Sequence, residues 1–144
     1  MGAEPPREAE MTLVEKQNEL IEDLNFISDP QERLSVVVSR GVKHHLESEH
    51  KSEENLVRGC VSRVWVIGWV EAGGLVFRCD AESPMVKGLA ALLCDLYSGS
   101  RAEEVAVVEP LVWAGCGFDK MLSPTRLNGL AALRAKIQAI ASAL

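Results

Sequence analysis

The chain has 144 residues, of which 47% are hydrophobic and 25% are charged, so it is long enough to bury most of its unfolded surface in one core. Its net charge of −6 and its pI of about 5.1 argue against a nucleic-acid-binding surface, because such surfaces usually carry a basic stripe. No run of consecutive apolar residues approaches the length of a membrane span, and residues 1–10 lack the features of a signal or transit peptide. We therefore expect one cytoplasmic domain over residues 11–144, a disordered tail over residues 1–10 and a protein partner, with no binding to nucleic acid or membrane.

Two helices are predicted in the first part of the chain. Thr12 and Glu15 have the spacing of a capping box, and apolar residues then recur at helical intervals. Pro30 begins the second helix, because proline suits a first helical turn, and Gly41 ends it. Packing of their apolar residues in the core is enough to explain both helices.

The next segment, residues 43–55, is almost wholly charged or polar and predicts a solvent-exposed connection. It contains His44, His45 and His50, but no cysteine at ligand spacing stands beside them, so a metal site is disfavoured here. A connection of this length has the reach to cover or uncover a neighbouring residue.

A β-hairpin is predicted over residues 61–79, where β-branched and aromatic residues flank a Gly-Gly turn signal. If Gly73-Gly74 is the two-residue loop, Cys79 lies opposite Gly68. One face of the hairpin is then apolar, and it comprises Val64, Val66, Val70, Leu75, Phe77 and Cys79.

Helices are predicted for most of the remaining chain. Ser83-Pro84 and Ser123-Pro124 each place a capping serine before a proline, so a helix is expected to begin at both sites. Residues 101–107 predict a short helix, although residues 105–108 fit a strand equally well. This order of elements, without β-α-β alternation, predicts an α+β domain with a small antiparallel sheet flanked by helices.

The four cysteines, at positions 60, 79, 94 and 116, form no C-x-x-C pair, so neither a zinc knuckle nor a thioredoxin-like motif is present. Cys79 and Cys94 fall on the apolar sides of their predicted elements without nearby positive charge, and we expect both to be packing residues. Cys116 lies between two glycines that leave it free to be exposed, which makes it a candidate second, resolving thiol.

Cys60 is the candidate reactive group. Gly59, just before Cys60, has no Cβ, so it leaves the backbone less constrained and lets another molecule approach the Cys60 sulfur. Arg58 and Arg63 supply positive charge nearby, which favours a thiolate. A lone cysteine at the start of a strand is, however, also commonly a small buried hydrophobe.

Three blocks of the sequence resemble the SufE family of sulfur-acceptor proteins in motif, order and spacing. They are Gly59-Cys60-x-Ser62-x-Val64-Trp65, Met85-Val86-Lys87-Gly88-Leu89 and Leu122-Ser123-Pro124-Thr125-Arg126-x-Asn128-Gly129-Leu130. With Asp29-x-x-Glu32-Arg33 in the second helix, the resemblance covers about residues 13 to 140. Two positions depart from the family pattern, since Val61 stands where a polar residue is usual and Met121 where a histidine is common.

The resemblance implies a SufE/IscU-like α+β fold and a specific function. Cys60 would accept persulfide sulfur from a pyridoxal-phosphate-dependent cysteine desulfurase, stimulate that enzyme and pass the sulfur to an iron–sulfur scaffold protein. The chain would then be a transfer protein and activator that needs no cofactor or metal of its own. The supporting residues are expected to be Gly59, Ser62, Arg63, Arg126, Asp80 and Glu82. Because a persulfide reacts with stray thiols, we expect Cys60 to be partly sheltered, beneath residues 43–55 or 113–118.

Two other functions remain open at this point. A non-catalytic adaptor would keep Cys60 as a structural residue and bind a partner helix on the hairpin face that carries Trp65 and Trp69. A metal-binding scaffold would use Cys60, a second cysteine and a histidine of residues 43–55.

Overall fold

The computed structural model describes residues 11–144, and the tail predicted over residues 1–10 lies outside this range. The described chain forms helices around one antiparallel pair of strands, which is the predicted α+β class. No helix within residues 11–144 is long and apolar enough to cross a membrane. The helices are α1 (Leu13–Asn25), α2 (Pro30–Ser39), α3 (Pro84–Tyr97), α4 (Ala102–Val107), α5 (Val112–Gly115) and α6 (Pro124–Ala143), and the strands are β1 (Val64–Glu71) and β2 (Gly74–Ala81).

The helix starts follow the predicted caps. Thr12 Oγ1 accepts a hydrogen bond from the Glu15 N–H, and Glu15 Oε1 accepts one from the Thr12 N–H. Ser83 and Ser123 cap α3 and α6 in the same way, through their hydroxyl oxygens. These bonds satisfy N–H groups that the first turn of a helix leaves unpaired. Residues 102–107 form a helix, which settles the choice that the sequence left open.

The centre of the core is α3. Its residues 89–94 are all 1% exposed or less, because α1, α2, α6 and the hairpin pack around this helix. Gly88 lets α2 come close, since a Cβ at Gly88 would lie 2.4 Å from the Cα of Val38. The predicted apolar face of the hairpin is buried at Val64, Val66, Leu75, Phe77 and Cys79, and exposed at Val70.

The register of the hairpin differs from the predicted one. The loop residues are Ala72-Gly73, with φ angles of 51° and 80°. Cys79 therefore lies opposite Val66, and not opposite Gly68. Phe77 faces Gly68 instead, and a Cβ there would lie 2.9 Å from the phenyl ring, so the glycine makes room for the ring. The shift is an even number of residues, which keeps every side chain on its predicted face.

The connection between α2 and β1 is exposed at most of its residues, as predicted, but the prediction is wrong for His44 and Leu46, which are buried against the domain. It folds into short 3₁₀ turns, and His44 and Leu46 are only 6% and 3% exposed. Asp80 on β2 holds it, accepting a hydrogen bond from the Leu46 N–H at 3.1 Å and pairing with Lys51 Nζ at 3.2 Å. Lys51 Nζ of the connection lies 5.7 Å from the centroid of the Trp65 ring, and Trp65 is 8% exposed. The face on which an adaptor would bind a partner helix is therefore largely closed at this residue.

Candidate functional site

Cys60 lies in the loop that leads into β1. Gly59 has a φ of 100°, which is in the left-handed region that glycine adopts without strain. The Glu82 N–H donates to the Arg63 carbonyl at 3.1 Å and closes the base of the loop. Cys60 itself is half-buried, whereas the next residue, Val61, is 86% exposed. The loop thus carries a partly accessible thiol beside an exposed apolar side chain.

The last helix shelters the Cys60 sulfur. The thiol donates a hydrogen bond to the Gly129 carbonyl oxygen, with Sγ 3.3 Å from it. A Cβ at Gly129 would lie 3.2 Å from the same sulfur, so glycine at this position allows the thiol to rest against α6. Cys60 is therefore partly sheltered, as expected, but the shelter comes from α6 and not from residues 43–55 or 113–118.

The pKa of Cys60 is raised, because burial disfavours the thiolate. The Arg58 guanidinium is exposed and pairs with Glu53 Oε2 at 3.1 Å, and Arg63 is exposed as well. The prediction that these two arginines favour the thiolate is wrong for this conformation. In its sheltered position Cys60 rests as a neutral thiol.

An apolar cavity of about 200 Å³ opens beside Cys60. Ser62 and Arg126 line it together with Cys60, so these three predicted residues share one site. The rest of the lining comes from the same loop, the start of β1, α3, and the cap and first half of α6, and it comprises Val61, Val64, Val86, Leu89, Ala90, Ser123, Thr125, Gly129, Leu130 and Leu133. An apolar lining of this kind limits the contact of a sulfur atom with water.

Asp80 and Glu82 do not line this cavity. Burial alone would raise the pKa of Asp80, but two backbone N–H groups, Lys51 and Lys87 outweigh it and hold the pKa at about 2. Glu82 Oε1 accepts a hydrogen bond from the Arg63 N–H at 3.3 Å. Both carboxylates thus hold neighbouring segments of the chain in place.

The other three cysteines, Cys79, Cys94 and Cys116, are fully buried. Burial raises the pKa of Cys116, and the flanking glycines do not expose it. Cys79 has a neighbour that the sequence did not reveal, since its sulfur lies 3.6 Å from His44 Nδ1. Two predictions are therefore wrong: His44 is buried and not exposed, and Cys79 does have a nearby group that can carry positive charge.

Within residues 11–144, no group of three or more His, Cys, Asp or Glu side chains is placed to hold a metal ion. A metal-binding scaffold would require Cys60, a second cysteine and a histidine in one place. The described part of the chain contains no such arrangement.

Comparison with known proteins agrees with the three sequence blocks. The profile of the SufE family, described as an Fe–S metabolism associated domain, matches residues 18–141. The chloroplastic/mitochondrial SufE-like protein 1 of Arabidopsis thaliana is 34% identical over 117 residues, a stretch that covers 80% of this chain and 32% of that protein. The chain thus spans about a third of the length of the Arabidopsis protein. An uncharacterized SufE-like protein of Rhizobium etli is 31% identical over 127 residues, which cover 84% of this chain and 86% of that protein.

The fold has a counterpart among solved structures. The solution structure of a hypothetical protein from Thermus thermophilus superimposes with a TM-score of 0.72, over 89% of this chain and 94% of that one, at 24% identity. This likeness concerns the fold alone. The description of the family profile supports a role in iron–sulfur metabolism. Because this profile matches nearly the whole described chain, we conclude that the chain belongs to the SufE family.

Proposed function

We propose that the protein is a sulfur acceptor, in which Cys60 takes persulfide sulfur from a pyridoxal-phosphate-dependent cysteine desulfurase. It stimulates that enzyme and passes the sulfur to an iron–sulfur scaffold protein. The pyridoxal phosphate belongs to the partner, and the chemistry of this chain needs only a thiol.

The observation that carries this proposal is the unequal burial of the four cysteines. Cys79, Cys94 and Cys116 are 0% exposed, whereas Cys60 is only partly buried. A partner's persulfide can meet a sulfur only where the sulfur reaches the surface. Cys60 also lies in the first of the three blocks that resemble the family.

The transfer step is a thiolate displacement. The Cys60 thiolate attacks the terminal sulfur of the partner's persulfide, a new S–S bond forms at Cys60, and the partner's cysteine leaves as a thiolate. Burial raises the pKa of Cys60 in the free protein, so movement of the loop away from Gly129 lowers the pKa towards that of an exposed cysteine. Reactivity is thereby coupled to release of the thiol from α6.

The residues around Cys60 support this exchange. The left-handed Gly59 gives the loop a conformation that other residues rarely adopt. Val61, exposed beside the thiol, offers an apolar contact to a partner. Ser62 and Arg126 line the cavity and are the groups we assign to stabilising a sulfur anion in it, through a hydrogen bond and positive charge.

The test is stimulation of a cysteine desulfurase. Alanine production from cysteine is measured with the wild-type chain, with Cys60→Ala and Cys60→Ser, and with Cys116→Ala as the matched control that removes a buried thiol. We expect both Cys60 variants to fold and to lose stimulation, and the control to retain it. Full stimulation by Cys60→Ala would refute the sulfur-acceptor mechanism and favour a non-catalytic adaptor.

A further inference from the structure

The cavity beside Cys60 extends well beyond the sulfur atom. Its lining on α6 runs from Thr125 to Leu133, and eight residues of an α-helix span about 12 Å. The Cys60 Sγ lies 3.3 Å from the carbonyl oxygen of Gly129, which is four residues from each end of that stretch. The thiol therefore lies midway along the cavity, with about 6 Å of lining on either side of it.

The two ends of the cavity differ in polarity and in exposure. Ser123 and Thr125 line one end and are exposed, so this end is the mouth. Leu133 lines the other end and is 2% exposed. Leu89 and Ala90 of α3 belong to the same lining and are 1% and 0% exposed. The cavity thus leads from a polar mouth, past the thiol, to a buried apolar inner end.

The volume of the cavity is larger than a single sulfur atom needs. The cavity measures about 200 Å³, whereas a sulfur atom takes up about as much room as a water molecule, roughly 30 Å³. An apolar cavity of roughly 150 Å³ stays dry and accepts a molecule as large as benzene. One sulfur bonded to Cys60 extends only about 2 Å from Sγ, so it leaves most of the inner end empty.

We propose that this cavity holds a chain of at least two sulfur atoms on Cys60, so that the loaded protein carries Sγ–S–SH as well as the persulfide Sγ–SH. The inference rests on the proposed function and extends it from one sulfur atom to several. Sulfur is soft and polarizable and forms only weak hydrogen bonds, so the apolar inner end suits such a chain better than water does. The second added sulfur lies about 3 Å from Sγ, which is well within the 6 Å of lining beyond the thiol.

The second transfer repeats the chemistry of the first. The terminal sulfur of the Cys60 persulfide, as its anion, attacks the terminal sulfur of a second desulfurase persulfide. A new S–S bond forms at Cys60, the S–S bond of the desulfurase persulfide breaks, and the desulfurase cysteine leaves as a thiolate. Water carries the proton of the Cys60 persulfide to that thiolate. One sulfur atom moves with no net oxidation or reduction, so a second molecule of the cysteine substrate is the only further reactant.

Movement of the loop serves both the loading and the unloading of the chain. The chain grows and shortens at its terminal sulfur, and this atom meets a partner only at the mouth of the cavity. Release of Cys60 from Gly129 brings the terminal sulfur out for each transfer. Return of the loop places the chain back against the apolar lining, where stray thiols do not reach it.

The test counts the sulfur atoms on Cys60. The protein is incubated with a cysteine desulfurase and with either one equivalent or a large excess of cysteine, and the terminal sulfur is trapped with iodoacetamide before the Cys60 peptide is weighed. We expect one added sulfur at one equivalent and two or more at the excess. A limit of one added sulfur under both conditions would overturn this inference and leave the proposed function intact. Absence of any added sulfur would refute both.

A cavity-filling variant tests whether the cavity holds the chain. Val86, on α3, is partly buried and lines the cavity, so Val86→Phe places a ring in it. Among peptides that carry sulfur, we expect the ratio of two or more added sulfurs to one to fall about tenfold, because an overfilled cavity leaves no room for a longer chain. Val36→Phe is the matched control, since it makes the same change at an exposed residue of α2 outside the cavity, and its ratio should equal that of the wild type. An unchanged ratio in Val86→Phe would overturn the proposal.

A second measurement uses the wild-type chain and so does not depend on the folding of a variant. Cyanide removes each sulfur of such a chain as thiocyanate, which is counted per mole of protein. The loaded protein is treated with cyanide while folded and after unfolding in urea. We expect two or more thiocyanates per Cys60, released several times more slowly from the folded protein. Equal rates of release would show that the chain lies outside the cavity and would contradict the proposal.

Discussion

The shelter of Cys60 against α6 leads to a prediction about Gly129. The Cys60 sulfur lies 3.3 Å from the Gly129 oxygen, and a Cβ at this position would lie 3.2 Å from the sulfur. Comfortable contacts between heavy atoms begin at roughly 3.5 Å. In Gly129→Ala the sulfur must therefore move away from the helix by a few tenths of an ångström or more, which weakens its hydrogen bond and increases its exposure.

The size of the effect follows from two opposing terms. Alanine in place of glycine favours a helix by about 1 kcal/mol, which offsets the cost of crowding, so the free energy of unfolding should stay within about 1 kcal/mol of the wild-type value. Burial raises the pKa of Cys60, and each unit by which release lowers that pKa increases the thiolate fraction about tenfold at neutral pH. We expect Cys60 in Gly129→Ala to react about three- to tenfold faster with iodoacetamide.

The assay is the rate of iodoacetamide labelling at neutral pH, with the labelled cysteine identified by mass mapping. Asn128→Ala is the matched control, because it also adds helix propensity to α6 but changes an exposed residue. Its labelling rate should equal that of the wild type. An equal or slower rate in Gly129→Ala, with the fold intact, would refute the assignment of α6 as the shelter.

Three further substitutions test the packing that positions the site. Asp80→Asn should lower the free energy of unfolding by about 1–2 kcal/mol at pH 7, and this loss should vanish near pH 2. The reason is that the pKa of Asp80 is lowered to about 2 in the folded protein. Its carboxylate therefore stabilises the fold above about pH 4 and ceases to do so as the pH falls through 2. Urea unfolding at both pH values measures this, and an equal loss at both would contradict it. Arg33→Met should lower the free energy of unfolding by about 3 kcal/mol in the same assay. The buried guanidinium donates hydrogen bonds to the carbonyls of Leu24, Ile27 and Cys116, and these carbonyls would lose their donor. A loss below about 1 kcal/mol would show that these hydrogen bonds matter little. Gly88→Ala should cost about 3 kcal/mol, since its Cβ would meet the backbone of α2, and an unchanged melting temperature would show that α2 yields easily.

The parts of the fold that were predicted correctly are set by neighbours in sequence. Thr12 with Glu15, Ser83-Pro84 and Ser123-Pro124 begin helices through contacts within a single turn, so the residues themselves contain the signal. The faces of the hairpin were also predicted, because side chains alternate along a strand. The register was not, since the choice of Ala72-Gly73 as the loop depends on how the two strands pack.

The parts that were missed depend on contacts between distant residues. The hydrogen bond between Cys60 and Gly129 joins positions 69 residues apart, and no local pattern specifies it. The glycine of the third family block was a usable signal, because a glycine inside a helix often marks a close approach. The burial of His44 was missed for a similar reason: its polar segment gains its partners, Asp95 and Cys79, only through the tertiary fold.

The measurement that tests the central claim most directly is the mass of the Cys60 peptide after the protein has been incubated with a cysteine desulfurase and cysteine. The proposed function predicts that this peptide gains the mass of one sulfur atom, that reduction removes the gain, and that no peptide containing Cys79, Cys94 or Cys116 acquires it. A desulfurase that is stimulated while Cys60 stays unmodified, or sulfur found on Cys116 instead, would contradict the assignment of Cys60 as the sulfur acceptor.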